Sequence, residues 1–156
     1  MAFSSDNATL IEKIDEELRL AIQPSADVYS RIVATICTRI PALSRSENGS
    51  RIARLAEANA WTDAAIALLE MELPAWQIRR LGHENEEWIC SLSRQPNLPM
   101  ALDDCAEAPH KVLPLAILRA FVEARRMACV SNEFRPTVPR VRSPPLGYVV
   151  CCDNFS

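Results

Sequence analysis

The sequence predicts a small α+β domain in which one two-stranded antiparallel hairpin packs between helices. Three observations carry this reading. Apolar residues recur every three or four positions over most of the chain. One stretch, "QIRRLGHENEEWICSLSRQ" from Gln77 to Gln95, changes to alternation with a period of two. Only three glycines stand against eleven prolines, so turns with positive φ are scarce and a many-stranded sheet built on two-residue hairpins is not expected.

Ser5 to Gln23 reads as the first helix. Leu10, Ile14, Leu18 and Ile22 form its stripe, Asp6 and Asn7 are candidate N-caps, and Pro24 stops it. Ser25 to Ile40 reads as the second, with Val28, Ile32, Ile36 and Ile40 on one face and Pro41 at its end. The short connection predicts an antiparallel helical hairpin over 1–43. "SRSENGS", Ser44 to Ser50, is the best linker, with Asn48-Gly49 marking a turn.

A core domain over 50–128 follows. Arg51 to Glu72 is helical with a break, after which Thr62 is the expected N-cap, with Trp61 and Ile66 placed for a hydrophobic staple. In the hairpin, Trp76, Ile78, Trp88, Cys90 and Leu92 share the face that wants a core. Arg79, Ser91 and Ser93 share the face that tolerates water. The polar "GHENEE" predicts a loop between the strands rather than a two-residue turn. "PNLPMALDDCAEAPH" reads as a proline-rich connector. The last helix is expected from Lys111 to Met127, apolar on two flanks and so largely buried, with Pro114 in its first turn. From 129 to 156 the chain is rich in proline and has no sustained period, which predicts a disordered tail.

The order of a helix, a tryptophan-bearing strand, the strand "EEWICSL" and then "AEAPHKVLPLAILRAFVEA" resembles the small phage-type ABA-sandwich domain. That family is read as a helix, a two-stranded antiparallel sheet and a second helix. The residues that carry the resemblance are Ala106-Glu107-Ala108 and Pro114-Leu115-Ala116-Ile117-Leu118-Arg119-Ala120, within residues 61–124. The chain departs from the pattern by inserting "PHKVL" before the Pro-Leu-Ala run, and by adding an N-terminal helical hairpin and a long tail. The resemblance implies an α+β layout and no activity.

Composition bounds the function. A net charge of -3 and a pI near 5.4 argue against general affinity for nucleic acid. The chain starts without a basic region followed by an apolar run, and no apolar segment reaches the roughly 18 residues a span needs, so a cytoplasmic protein is expected. The six cysteines include no C-x-x-C pair, and Cys37, Cys90 and Cys129 fall in apolar patterns as small buried hydrophobes. There is no nucleophile elbow, phosphate loop or dinucleotide fingerprint.

Four residues, His83, Cys90, Cys105 and His110, are of types that bind zinc, but their spacing matches no ligand pattern and His83 and Cys90 are expected to diverge. Cys105 with His110 would be the nucleophilic pair, yet no orienting third group is visible. Cys151 and Cys152 fall in the tail and are read as free thiols. The pairs Glu16-Glu17, Glu86-Glu87 and Asp103-Asp104 lie in polar surroundings, without the apolar pocket that separates two carboxyl pKa values. The sequence therefore predicts a non-enzymatic interaction or accessory protein with no cofactor and no metal, meeting a second copy or a protein partner through its N-terminal helices. Arg79, Arg80 and Arg94 form the candidate interaction surface. The alternatives are a nucleic-acid-linked regulator that uses those arginines with Arg135, Arg140 and Arg142 of the tail, and an unrecognised enzyme with a Cys/His site.

Overall fold

A computed structural model of the chain describes residues 3–37 and 47–133. The expectations placed on Thr38 to Ser46 and on 134–156, including Cys151 and Cys152, lie outside the described residues. The class is α+β: helices α1 (Phe3–Leu20), α2 (Ala26–Thr35), α3 (Glu47–Glu57), α4 (Trp61–Glu72) and α5 (Leu113–Glu133), and strands β1 (Gln77–Glu84), β2 (Glu87–Ser93) and β3 (Ala106–His110). The sheet is an antiparallel meander in the order β1-β2-β3.

The third strand corrects the two-stranded expectation. Ala106, Ala108 and His110 are buried and alternate with exposed Glu107 and Pro109. Alanine and proline are weak strand formers, so the connector's composition hid this alternation. Pro109 is tolerated because β3 is an edge strand.

Among the described residues the hairpin makes its main helical contact with α5, through β2. Its inner face, with Cys90 and Leu92 fully buried, continues across β3 through the pairs Cys90–Ala108 and Leu92–Ala106. α5 covers this face, packing on β3 and β2, while α1 and α4 pack on α5 from its other sides. That arrangement explains why Leu115, Ala116, Ile117, Leu118, Ala120 and Phe121 are all fully buried around α5. One hydrophobic cluster runs from Ile11, Ile14 and Leu18 of α1 through Ile32 of α2 to Leu92 and Phe121.

The ends of elements show their local causes. Ser25 caps α2, its hydroxyl accepting from the Val28 N–H at 3.4 Å. α2 ends at Thr35 rather than Ile40, and Asn48-Gly49 lies inside the first turn of α3 instead of forming a turn. α3 closes on Asn59 at φ 57°, with Ala60 N–H bonding the Leu55 carbonyl and Asn59 N–H that of Ala56, a Schellman motif built on asparagine. α4 then starts at Trp61 behind Ala60, so Thr62 is inside the helix and not its cap. Tyr29, unremarked in the stripe of α2, is buried and donates its hydroxyl to the Trp61 carbonyl at 2.5 Å.

β1 and β2 extend through most of "GHENEE", leaving only Asn85 and Glu86 as a two-residue turn, both at positive φ. This is the type I′ geometry that favours Asn-Gly. The scarcity of glycine did not prevent it, because Asn85 and Glu86 adopt the left-handed region themselves. Trp76 is buried just before β1, as its place on the core face required. Cys129 is exposed, contrary to its apolar setting in sequence. Among the described residues no helix is long and apolar enough to cross a membrane.

Candidate functional site

The structure sends the three hairpin arginines to different places. The register of β1 on β2 slips between Ile78 and Arg80, so Arg79 is the extra residue of a bulge. Its guanidinium pairs with Asp103 and donates to the Leu98 carbonyl at 2.6 Å. Asp103 also accepts from the Ser93 hydroxyl at 2.5 Å and from the Cys105 thiol at 3.3 Å. These bonds fasten the β2–β3 loop over one end of the outer sheet face. Ser91 and Ser93, expected to meet water, are consequently fully buried. The Ser93 hydrogen bond first, then those from Cys105 and Arg79, hold the Asp103 carboxyl below its ordinary value.

Arg80 stays exposed and pairs with Glu84, four positions along β1. Arg94 lies over the Trp76 ring, 5.2 Å from its centroid. Thus Arg79 closes the fold, and Arg80 and Arg94 sit apart with partners of their own.

The Cys/His candidates also separate. Cys105 and His110 stand at opposite ends of β3, roughly 16 Å apart along the strand. Burial first, and then the Asp103 hydrogen bond, raises the Cys105 thiol above its ordinary pKa, which disfavours thiolate. Burial pushes Cys37 and Cys90 up to about 12. His83 packs against Trp88 with the rings tilted by 59° and their centroids 4.9 Å apart. Among the described residues no three His, Cys, Asp or Glu side chains gather to hold a metal ion.

A more definite site lies at the other end of the sheet, where the α1–α2 turn meets the β3–α5 turn. His110 ends β3 on its buried face and is 7% exposed. Its Nδ1 accepts from the Val112 N–H at 2.9 Å, and the backbone of Leu18 and Ala21 lies against the ring. Burial first, then the Arg119 guanidinium, lowers the His110 pKa, so the ring is neutral at pH 7. Arg119 reaches across from α5, with Nε donating to Asp15 Oδ1 at 3.0 Å and Nη1 to the Pro109 carbonyl at 2.7 Å. One guanidinium thereby ties α5 to α1 and to β3.

Around this tie opens a cleft of about 720 Å³. Leu20 and Ile22 stand at its mouth, 68% and 83% exposed. Its walls carry Arg19, Lys111 and Arg119 as cations and Glu87 as an anion. Arg19 is held by Glu16 at 2.6 Å. The combination of exposed aliphatic side chains with fixed cations suits an apolar group that carries a carboxylate beside it. The sequence reading passed over this site. A signal was present: Arg119 is the lone charge between Val112 and Val122 of an otherwise apolar helix, and such a cation must find an anion or carbonyl when buried.

No protein-family model, no curated protein and no solved structure matches this chain.

Proposed function

We propose that this protein is a non-enzymatic interaction module, and that a segment of a protein partner seats an apolar side chain, flanked by a carboxylate, in the cleft between the α1–α2 and β3–α5 turns. The observation that carries the reading is Ile22. It is an isoleucine 83% exposed at the mouth of a cleft with cationic walls. An aliphatic side chain held in water beside a concave surface gains free energy only when a partner covers it, about 25 cal/mol per Å² of apolar area removed from water. The cleft sits where α1 ends, which keeps the partner surface on the N-terminal helices. The His110 ring is already engaged by backbone hydrogen bonds from the Val112, Leu18 and Ala21 segments, which supports a binding role over proton transfer.

The test uses a displayed library of peptides with one large apolar residue flanked by Asp or Glu. Enriched peptides should bind the full chain, and Ile22→Ser and Lys111→Glu should each weaken them about tenfold or more, while Arg94→Ala leaves them unchanged. Failure of the library to enrich anything, or enriched peptides indifferent to both cleft variants, would end the proposal.

A further inference from the structure

Among the described residues β1 is an outer strand of the sheet with no strand on its far side, and that edge is self-complementary. Past the bulge its ladder with β2 is regular from Arg80 to Glu84. Arg80 and Glu84 lie symmetrically about Gly82, on the same face, and are 46% and 51% exposed. If a second copy of β1 runs antiparallel to the first with the two-fold axis at Gly82, each Arg80 falls opposite the other copy's Glu84. On the opposite face, each Leu81 then falls opposite the other copy's His83.

Three features favour a second copy as the occupant of this edge. Within the hairpin, Glu84 is directly opposite Glu87. Facing like charges are unfavourable, and Arg80 of the same strand is the cation that reaches Glu84. A second copy supplies another cation to the same carboxylate. Gly82 at the axis carries no side chain, and the space where a Cβ would stand meets only Arg80 Nε at 3.8 Å, so two strands can approach there. Leu81 is 41% exposed, next to His83, which packs at a tilt against Trp88. Pairing would cover it.

We infer that the protein self-associates by antiparallel pairing of β1 with β1 of a second copy, centred on Gly82 and matched in charge by Arg80 and Glu84, so that two sheets join into one. This goes beyond the cleft reading and uses neither Ile22 nor Lys111. The paired stretch is short, so the dimer is weak, with a Kd on the order of 10–100 µM.

Sedimentation velocity of the full chain from about 5 to 500 µM reads the association directly. The wild type should pass from monomer to dimer across that range. Arg80→Glu and Glu84→Arg should each raise the Kd about tenfold or more, because every cross-copy pair becomes repulsive. Mixing those two variants should restore association as a heterodimer, and the double exchange Arg80→Glu/Glu84→Arg should restore the homodimer. Far-UV circular dichroism checks that each variant is folded, and the mixing arm succeeds only if both are. A wild type that stays monomeric at the top concentration would overturn the inference and identify these charges as protection of the edge. So would a dimer that survives both single reversals, or a mixture that fails to associate. Ile22→Ser should leave the dimer unchanged, so loss of peptide binding and loss of dimer are separate results.

Discussion

The two faces of the sheet are held down by different physics. On the inner face, Cys90, Leu92, Ala106 and Ala108 are 4% exposed or less beneath α5. The contact among these four residues is apolar, and the titratable group on the same face is His110 at the far end of β3. On the outer face, Ser91 and Ser93 are equally buried, yet what covers them is a loop anchored by Arg79, Asp103 and Cys105. Equal burial thus has two origins: area removed from water on one side, and a charged hydrogen-bond cluster on the other. The second is conditional on the charge of one carboxyl, and it leaves Ser91 Oγ buried without a hydrogen bond of normal geometry.

The largest expected effect sharpens the inner half of this contrast. Leu92→Ala removes a fully buried side chain from beneath α5 and should cost about 2–5 kcal/mol in denaturant unfolding. The loss should be the same at pH 7 and pH 4. A loss that grew or shrank with pH would mean that the Leu92 contact is coupled to a titrating group, His110 being the one on this face.

The next concerns the outer face. Asp103 holds its proton less readily in the fold than in the unfolded chain, because Ser93, Cys105 and Arg79 all stabilise the carboxylate. The unfolded state therefore binds more protons over the acid range, and stability rises with pH there. The contribution of Asp103 is complete above its unfolded value, near 3.8, and is lost as pH falls through the lower native value. Asp103→Asn should lower stability at pH 7 and flatten the acid limb between about pH 5 and 2. Arg79→Ala should act in the same direction and more weakly, because the two other donors remain. Unchanged acid limbs in both variants would break the comparison.

The smallest effect has the opposite sign. Ser91→Ala removes a buried hydroxyl that has no hydrogen bond of normal geometry and only a weak contact with the Cys105 thiol, and should raise stability by about 1 kcal/mol. A loss instead would show that Ser91 is bonded, with the Cys105 thiol as the candidate.

Much of the architecture was legible. The stripes of α1 and α2 marked Ile14, Leu18, Ile32 and Ile36, all buried, but also Leu10 and Ile22, which are exposed, Ile22 lying past the end of α1 at Leu20. The alternation in β1 and β2 placed Cys90 and Leu92 on the core side, and the double apolar flank of α5 announced a largely buried helix, which holds from Pro114 to Val122 and not for the more exposed turns that follow. The candidate site was read less well. Arg79 was singled out as a surface residue, whereas its side chain is 15% exposed and engaged by Asp103, 24 positions away. The serines were read from polarity, which reports on solvent only when nothing covers the face. The cleft escaped because its walls come from the end of α1 and the turn before α5, tied by Arg119 and Asp15 across 104 positions.

By itself the sequence determined the α+β class, the presence of the helices and the inward side of β2, because each follows from a period within a few residues of chain, whereas the expected caps at Asp6, Asn7 and Thr62 fall inside helices. Only the tertiary structure decided the third strand, the covered outer face, the free edge of β1 and the cleft. Those depend on which distant residues are brought together to bury apolar area and satisfy charge, and no local pattern encodes that pairing.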